Sequence, residues 1–125
     1  MSAALAVFVG GGLGSLARFG IGRWIGASAS SGFPWATFLV NVLGSLALGM
    51  LAGYAAQRPM SSDLQAFLAI GVLGGFTTYS SFNQETLQLW TRSGPLVAGG
   101  YVLAMLVACL AVGAAGAWIA RQVLS

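Results

Sequence analysis

LQAFLAIGVLGGFTTYSSFNQETLQLW, residues 64–90, opens apolar enough to enter a bilayer and then turns polar in its middle. Its centre, GGFTTYSSF at residues 74–82, sets two glycines before a run of β-branched, hydroxyl and aromatic residues. Glycine adds backbone freedom, and the residues that follow lose side-chain freedom in a helix, so the ladder of backbone hydrogen bonds weakens here. Non-helical backbone at membrane depth survives only when it is buried in protein or lines water. The stretch therefore predicts a helix broken inside the membrane. Carbonyls freed there could coordinate a cation, and the rings would place positively polarised edges at the same depth.

Working outward, the whole chain of 125 residues is 58% hydrophobic and 6% charged, with a mean hydropathy of +0.87. A soluble domain carries roughly a quarter charged residues. Apolar stretches at 3–23, 36–56, 64–90 and 96–120 each supply the roughly 20 residues that cross a bilayer core. The expectation is an all-α membrane protein: one transmembrane domain over residues 1–125, four helices per chain, the third broken mid-membrane. The first apolar run lacks the positive leader of a signal peptide, so it reads as a true span. Trp24, Trp35 and Trp90 would mark one membrane face and Trp118 the other, as interfacial tryptophans do. Cys109 is the single cysteine; no intrachain disulfide is possible, and small core packing is its ordinary role.

Charge gives little instruction about orientation. With four spans, Arg58 and Arg121 fall on the side of the termini, and Arg18, Arg23 and Arg92 at or near the other. Discounting Arg18 as too deep, the flanking arginines balance at two against two. Either factors outside the sequence set the orientation, or copies insert both ways and pair antiparallel. Small-xxx-small pairs at Gly10 and Gly14, Gly22 and Gly26, Gly49 and Gly53, and Gly71 and Gly75 suit close helix packing between copies. Four helices enclose little space, so a solute path is expected at an interface between chains.

Several chemistries are excluded. The chain has no His and no Lys, and its carboxylates are Asp63 and Glu85. That inventory cannot build a His, Cys and carboxylate metal site or a Ser-His-Asp triad, and Cys109 has no base to activate it. GGGLG at residues 10–14 is helix-packing glycine, since no strand precedes it to make a phosphate cradle. An enzyme is not expected. What remains is polar groups in apolar surroundings: Asn41 in the second span, Thr77, Thr78, Tyr79, Ser80, Ser81 and Asn83 in the third, Tyr101 in the fourth. Such groups are costly in lipid. They can bond to their own helices or glue neighbours together, or they can line a path. Taken together they favour a path. The set is rich in donors and lacks a carboxylate ring, which suits a small anion. The net charge of +3 favours anions at the mouths. A small proton-coupled multidrug exporter shares the span count, but it needs a carboxylate deep in the membrane, and the first span has none. A non-transporting assembly of the holin kind would use the glycines but not the polar set.

GGLGSLARF at residues 11–19, WATFLVNVLGSLALG at 35–49 and GGFTTYSSFNQE at 74–85 resemble the three signatures of the Fluc fluoride channels, also called CrcB. The third is the most specific. The resemblance implies an antiparallel, dual-topology homodimer in the cell (inner) membrane that exports fluoride passively through two pores. It implies a structural sodium ion at the dimer centre, held by the backbone carbonyls of Gly74 and Thr77 from both subunits. By the same likeness Asn41, Tyr79, Ser80, Ser81, Phe82 and Tyr101 line the fluoride path, Phe82 as the second aromatic of a phenylalanine box. Arg18 and Glu85 match charged positions near the mouth. The chain departs from the pattern at Tyr79, where phenylalanine is usual, at Ser81 and at Asn83. Met105 and Cys109 stand after Tyr101, at spacings where hydroxyl residues can occur, and carry no implied role.

Overall fold

The computed structural model describes residues 2–26 and 32–125, which are helical almost throughout. Among the described residues three helices are long and apolar enough to cross a membrane: α1 (Ala3–Gly26), α2 (Trp35–Gln57) and α5 (Pro95–Leu124). Between α2 and α5 the chain forms two shorter helices. The first, α3, covers residues 62–76 as an α-helical turn (Ser62–Gln65), a π-helical run (Ala66–Leu73) and a closing turn (Gly74–Phe76). The second, α4, covers Tyr79–Ser93. Thr77 and Thr78 separate them in extended conformations, with φ/ψ of −79°/157° and −149°/119°.

Local chemistry places these boundaries. The Ser61 hydroxyl accepts the Leu64 N–H at 3.3 Å and caps α3. Gly94, at a φ of 89° that a side chain would strain, ends α4, and Pro95 with its preset φ begins α5 at once. The expected break lies within the 74–82 stretch, at its threonines. Gly74 and Gly75 are both helical, and the chain leaves the helix at Thr77–Thr78. Gly75 packs against α1, so its missing side chain serves close approach rather than a bend.

The helices pair in register. Gly10 lies against Phe67 and Gly71, and Gly14 against Val72 and Phe76, so α1 and α3 run parallel. Asn41 meets Met105, Leu46 meets Gly116 and Gly53 meets Ala117, so α2 and α5 also run parallel. Thr37 reaches Glu85 while Gly44 faces Thr77, so α2 runs opposite to the α3–α4 unit. A Cβ on Gly10 would stand 2.5 Å from the Phe67 carbonyl oxygen, and one on Gly116 2.5 Å from that of Leu46. Only glycine admits such backbone approach. Of the four small-residue pairs, three are therefore used inside the chain, while Gly22 and Gly26 meet none of the other described residues within 4 Å.

A buried cluster of Phe82, Leu89, Ala98, Tyr101 and Met105 joins α4 to α5, with Phe33, Phe38, Val102 and Cys109 packed around it. The outer surface is apolar: Phe8 is 78% exposed and Leu96 90%. Water does not favour such a surface, and hydrocarbon does.

Candidate functional site

The site is built where α2 meets the break. Asn41 lies on one face of α2 with Thr37 and Gly44, at spacings of four and three residues, and there it meets Thr78. Asn41 Oδ1 accepts the Thr78 N–H at 2.8 Å, and Asn41 Nδ2 donates to the Thr78 carbonyl at 3.0 Å. The side-chain amide thus pairs with the extended backbone as a neighbouring strand would. In an unbroken helix the Thr78 N–H would bond to the Gly74 carbonyl, four residues back. Asn41 takes that donor away and holds the ladder open. A side chain at Gly44 would collide with the Thr77 methyl group, so the glycine leaves room for the break to lie against α2.

Hydroxyl groups complete the joint. The Thr78 hydroxyl accepts the Ser81 N–H at 3.2 Å, which caps α4, and donates to the Ser81 hydroxyl at 3.2 Å. The Ser80 hydroxyl lies 3.2 Å from the same Thr78 oxygen. Thr77 turns back to the Leu73 carbonyl at 2.8 Å, and Ser15 of α1 reaches the Gly75 carbonyl at 3.4 Å. Among the described residues no hydrogen bond engages the carbonyl of Gly74 or of Thr77 across the break. These are hard oxygen donors of the kind a small cation takes. No three His, Cys, Asp or Glu side chains come together among the described residues.

Glu85 sits two turns into α4. It accepts from the Thr37 hydroxyl at 2.7 Å and from the Tyr101 hydroxyl at 2.9 Å, so one carboxylate ties α2, α4 and α5. The Tyr101 side chain is 2% exposed and its proton is spent on Glu85, which leaves its ring as the part that meets Phe82. An aromatic row follows. Tyr79 stands edge-on to Phe82 at a centroid distance of 5.6 Å, the Phe82 and Tyr101 rings are tilted at 5.3 Å, and Tyr101 is edge-on to Phe33 at 5.4 Å. Tyr79, at the outer end, is 77% exposed and so is available to a neighbouring surface. Ser80 is exposed and Ser81 half-buried. Arg18 is half-buried on α1, one turn beyond Ser15.

A groove of about 370 Å³ gathers much of this set: Asn41, Thr77, Thr78, Tyr79, Phe82 and Met105 all line it. Gly74 lines it too, whereas Ser80, Ser81, Tyr101, Arg18 and Glu85 do not. Thr37 and Ser15 escaped the sequence reading. Both could have been found by helical spacing, Thr37 one turn before Asn41 and Ser15 one turn after Gly11. Each hydroxyl alone looks like an ordinary helix residue.

Bilayer-length apolar helices packed around a broken helical unit, with an amide, hydroxyls and ring edges placed along one otherwise apolar groove, define a multi-pass membrane protein. The chain matches the family described as CrcB-like protein, Camphor Resistance (CrcB), over residues 5–117, and it belongs to that family. It is 49% identical to a "Fluoride-specific ion channel FluC" of Thermus thermophilus over 85 residues, 68% of this chain and 67% of that protein. It is 41% identical to the protein of the same name from Sphingopyxis alaskensis, over 98% of each chain. The Mesorhizobium japonicum protein of that name is 37% identical over 94% of this chain and 95% of its own.

Proposed function

We propose that this chain is a fluoride channel that lets fluoride leave the cell passively across the inner membrane. In this reading residues 1–125 form one transmembrane domain with four spans, the α3–α4 unit being the broken third. Two copies pair antiparallel, which fits the near balance of flanking arginines. Fluoride passes along Asn41, Tyr79, Ser80, Ser81, Phe82 and Tyr101, with Arg18 and Glu85 supplying charge toward the mouth.

One observation carries the proposal. Within the groove, Asn41 Nδ2 also points at the Met105 thioether at 3.8 Å, a weak acceptor. That amide proton is thus placed for a stronger acceptor, and fluoride is a small anion that needs such donors when it sheds water. The Ser81 hydroxyl accepts from Thr78, leaving its own proton able to donate. The edges of the Tyr79 and Phe82 rings add positive polarisation without a fixed charge that would trap the ion.

A sodium ion fits the break as well. The carbonyls of Gly74 and Thr77, two from each copy, would hold it, since Asn41 has diverted the donor that Gly74 would otherwise receive. When bound, the ion would supply a positive charge between the copies and hold the two breaks together. The relatives are named fluoride channels, and Glu85 is held by two hydroxyls, so a proton-coupled drug exporter gains no support.

The test is fluoride efflux from liposomes containing the purified protein, read with a fluoride electrode, with chloride efflux run alongside. Fast fluoride release with little chloride release is expected. Folded dimers that release no fluoride would sink the proposal.

A further inference from the structure

We infer that Met105 and Cys109 form a soft-metal site in the wall of the groove, suited to a monovalent cation such as Ag⁺ or Cu⁺. The two side chains lie one turn apart on α5, with Cys109 Sγ 3.7 Å from Met105 Sδ. Both line the groove that also holds Asn41, Tyr79 and Phe82. Thiolate and thioether sulfur are the ligands that select soft cations over the hard ions of ordinary salt solutions. Met105 is 4% exposed, so its sulfur is held at the wall, while its unbranched side chain can shift slightly to let an ion bridge the pair.

Among the described residues neither sulfur has a strong partner. Met105 Sδ receives the Asn41 amide at 3.8 Å, and Cys109 makes its contact to Met105. No other thiol and no imidazole exists in the chain to compete. On binding, the Cys109 S–H bond breaks, a sulfur–metal bond forms, and the proton leaves to water in the groove. No oxidant or reductant is needed. Thiolate and monovalent cation together are neutral, so the apolar wall gains no net charge. The occupied site would stand beside Asn41 and narrow the groove, so metal binding should block fluoride. This last step rests on the channel reading; the binding itself does not.

The experiment has two arms in chloride-free nitrate buffer, which keeps silver soluble. In the first, silver nitrate is titrated into the detergent-purified dimer by calorimetry. One Ag⁺ per chain is expected, with binding lost in Cys109→Ser and weakened at least about tenfold in Met105→Leu. Equal silver binding by wild type and Cys109→Ser would overturn the site. Equal binding by Met105→Leu would remove the thioether and overturn the pair. In the second arm, fluoride efflux from liposomes is measured with and without silver, each variant against its own uninhibited rate. Silver should block wild type and spare Cys109→Ser. Silver binding in the first arm with no fluoride flux at all would reject the channel reading and leave the metal site standing. Binding without block of an active channel would overturn the regulatory half.

Discussion

Asn41→Asp isolates the two tasks assigned to this side chain. The substitution keeps an oxygen to accept the Thr78 N–H now at 2.8 Å. It replaces the amide donor that lies 3.0 Å from the Thr78 carbonyl with a second oxygen. Losing that bond and leaving a nearly buried carbonyl unpaired costs about 2 kcal/mol. The larger effect falls on the ion. A carboxylate about 5 Å from a passing fluoride, at an effective dielectric of about 20, raises its energy by about 3 kcal/mol. That lowers anion occupancy by more than about a hundredfold. Liposome efflux should therefore fall by at least that factor while the protein still elutes as a folded species. Asn41→Ala is the companion: it adds no charge but strips both Thr78 bonds, so it should lower thermal stability in detergent by about 1–4 kcal/mol. The low end is favoured, because measured hydrogen bonds between membrane helices average about 0.6 kcal/mol. Normal fluoride flux in Asn41→Asp would refute the pore-lining role. Unchanged stability in Asn41→Ala would show that Thr78 does not depend on this amide.

Other substitutions test the remaining parts. Glu85→Gln presents one acceptor and one donor to two hydroxyls that both donate now, so a stability loss of about 1–2 kcal/mol is expected in thermal unfolding, and a Thr37→Val, Glu85→Gln double mutant should show coupling between the sites. Gly75→Ala would place a Cβ 2.5 Å from the Gly11 carbonyl oxygen, so α1 and α3 must separate; a loss of about 1–3 kcal/mol or poor recovery of folded protein is expected, and wild-type stability would contradict the packing. Phe82→Ile removes the ring between Tyr79 and Tyr101 and should slow or stop fluoride efflux; an unchanged rate would take Phe82 out of the path.

The sequence by itself determined the class of surroundings. With 6% charge and long apolar runs, the chain has no means of covering a water-facing surface, and that conclusion needs no coordinates. The spacing and residue types of GGFTTYSSF also announced a break, since weak helix formers in an apolar run are local information. Its position was not local. Of the glycines and the β-branched residues in that stretch, Gly74 and Gly75 stay helical, and the helix opens at Thr77–Thr78 because Asn41, 37 residues earlier in sequence, claims the Thr78 N–H. Glycine pairs likewise advertise close contact without saying with what. Tertiary structure used Gly10, Gly14, Gly71 and Gly75 to seat α1 on α3, within one chain. Glu85 reads in sequence as a charge near a helix end, and only folding brings Thr37 and Tyr101 to its two oxygens. Periodicity and composition follow from each segment's own contact with solvent, whereas a hydrogen bond between helices depends on the register in which they pack, and no single segment encodes that register.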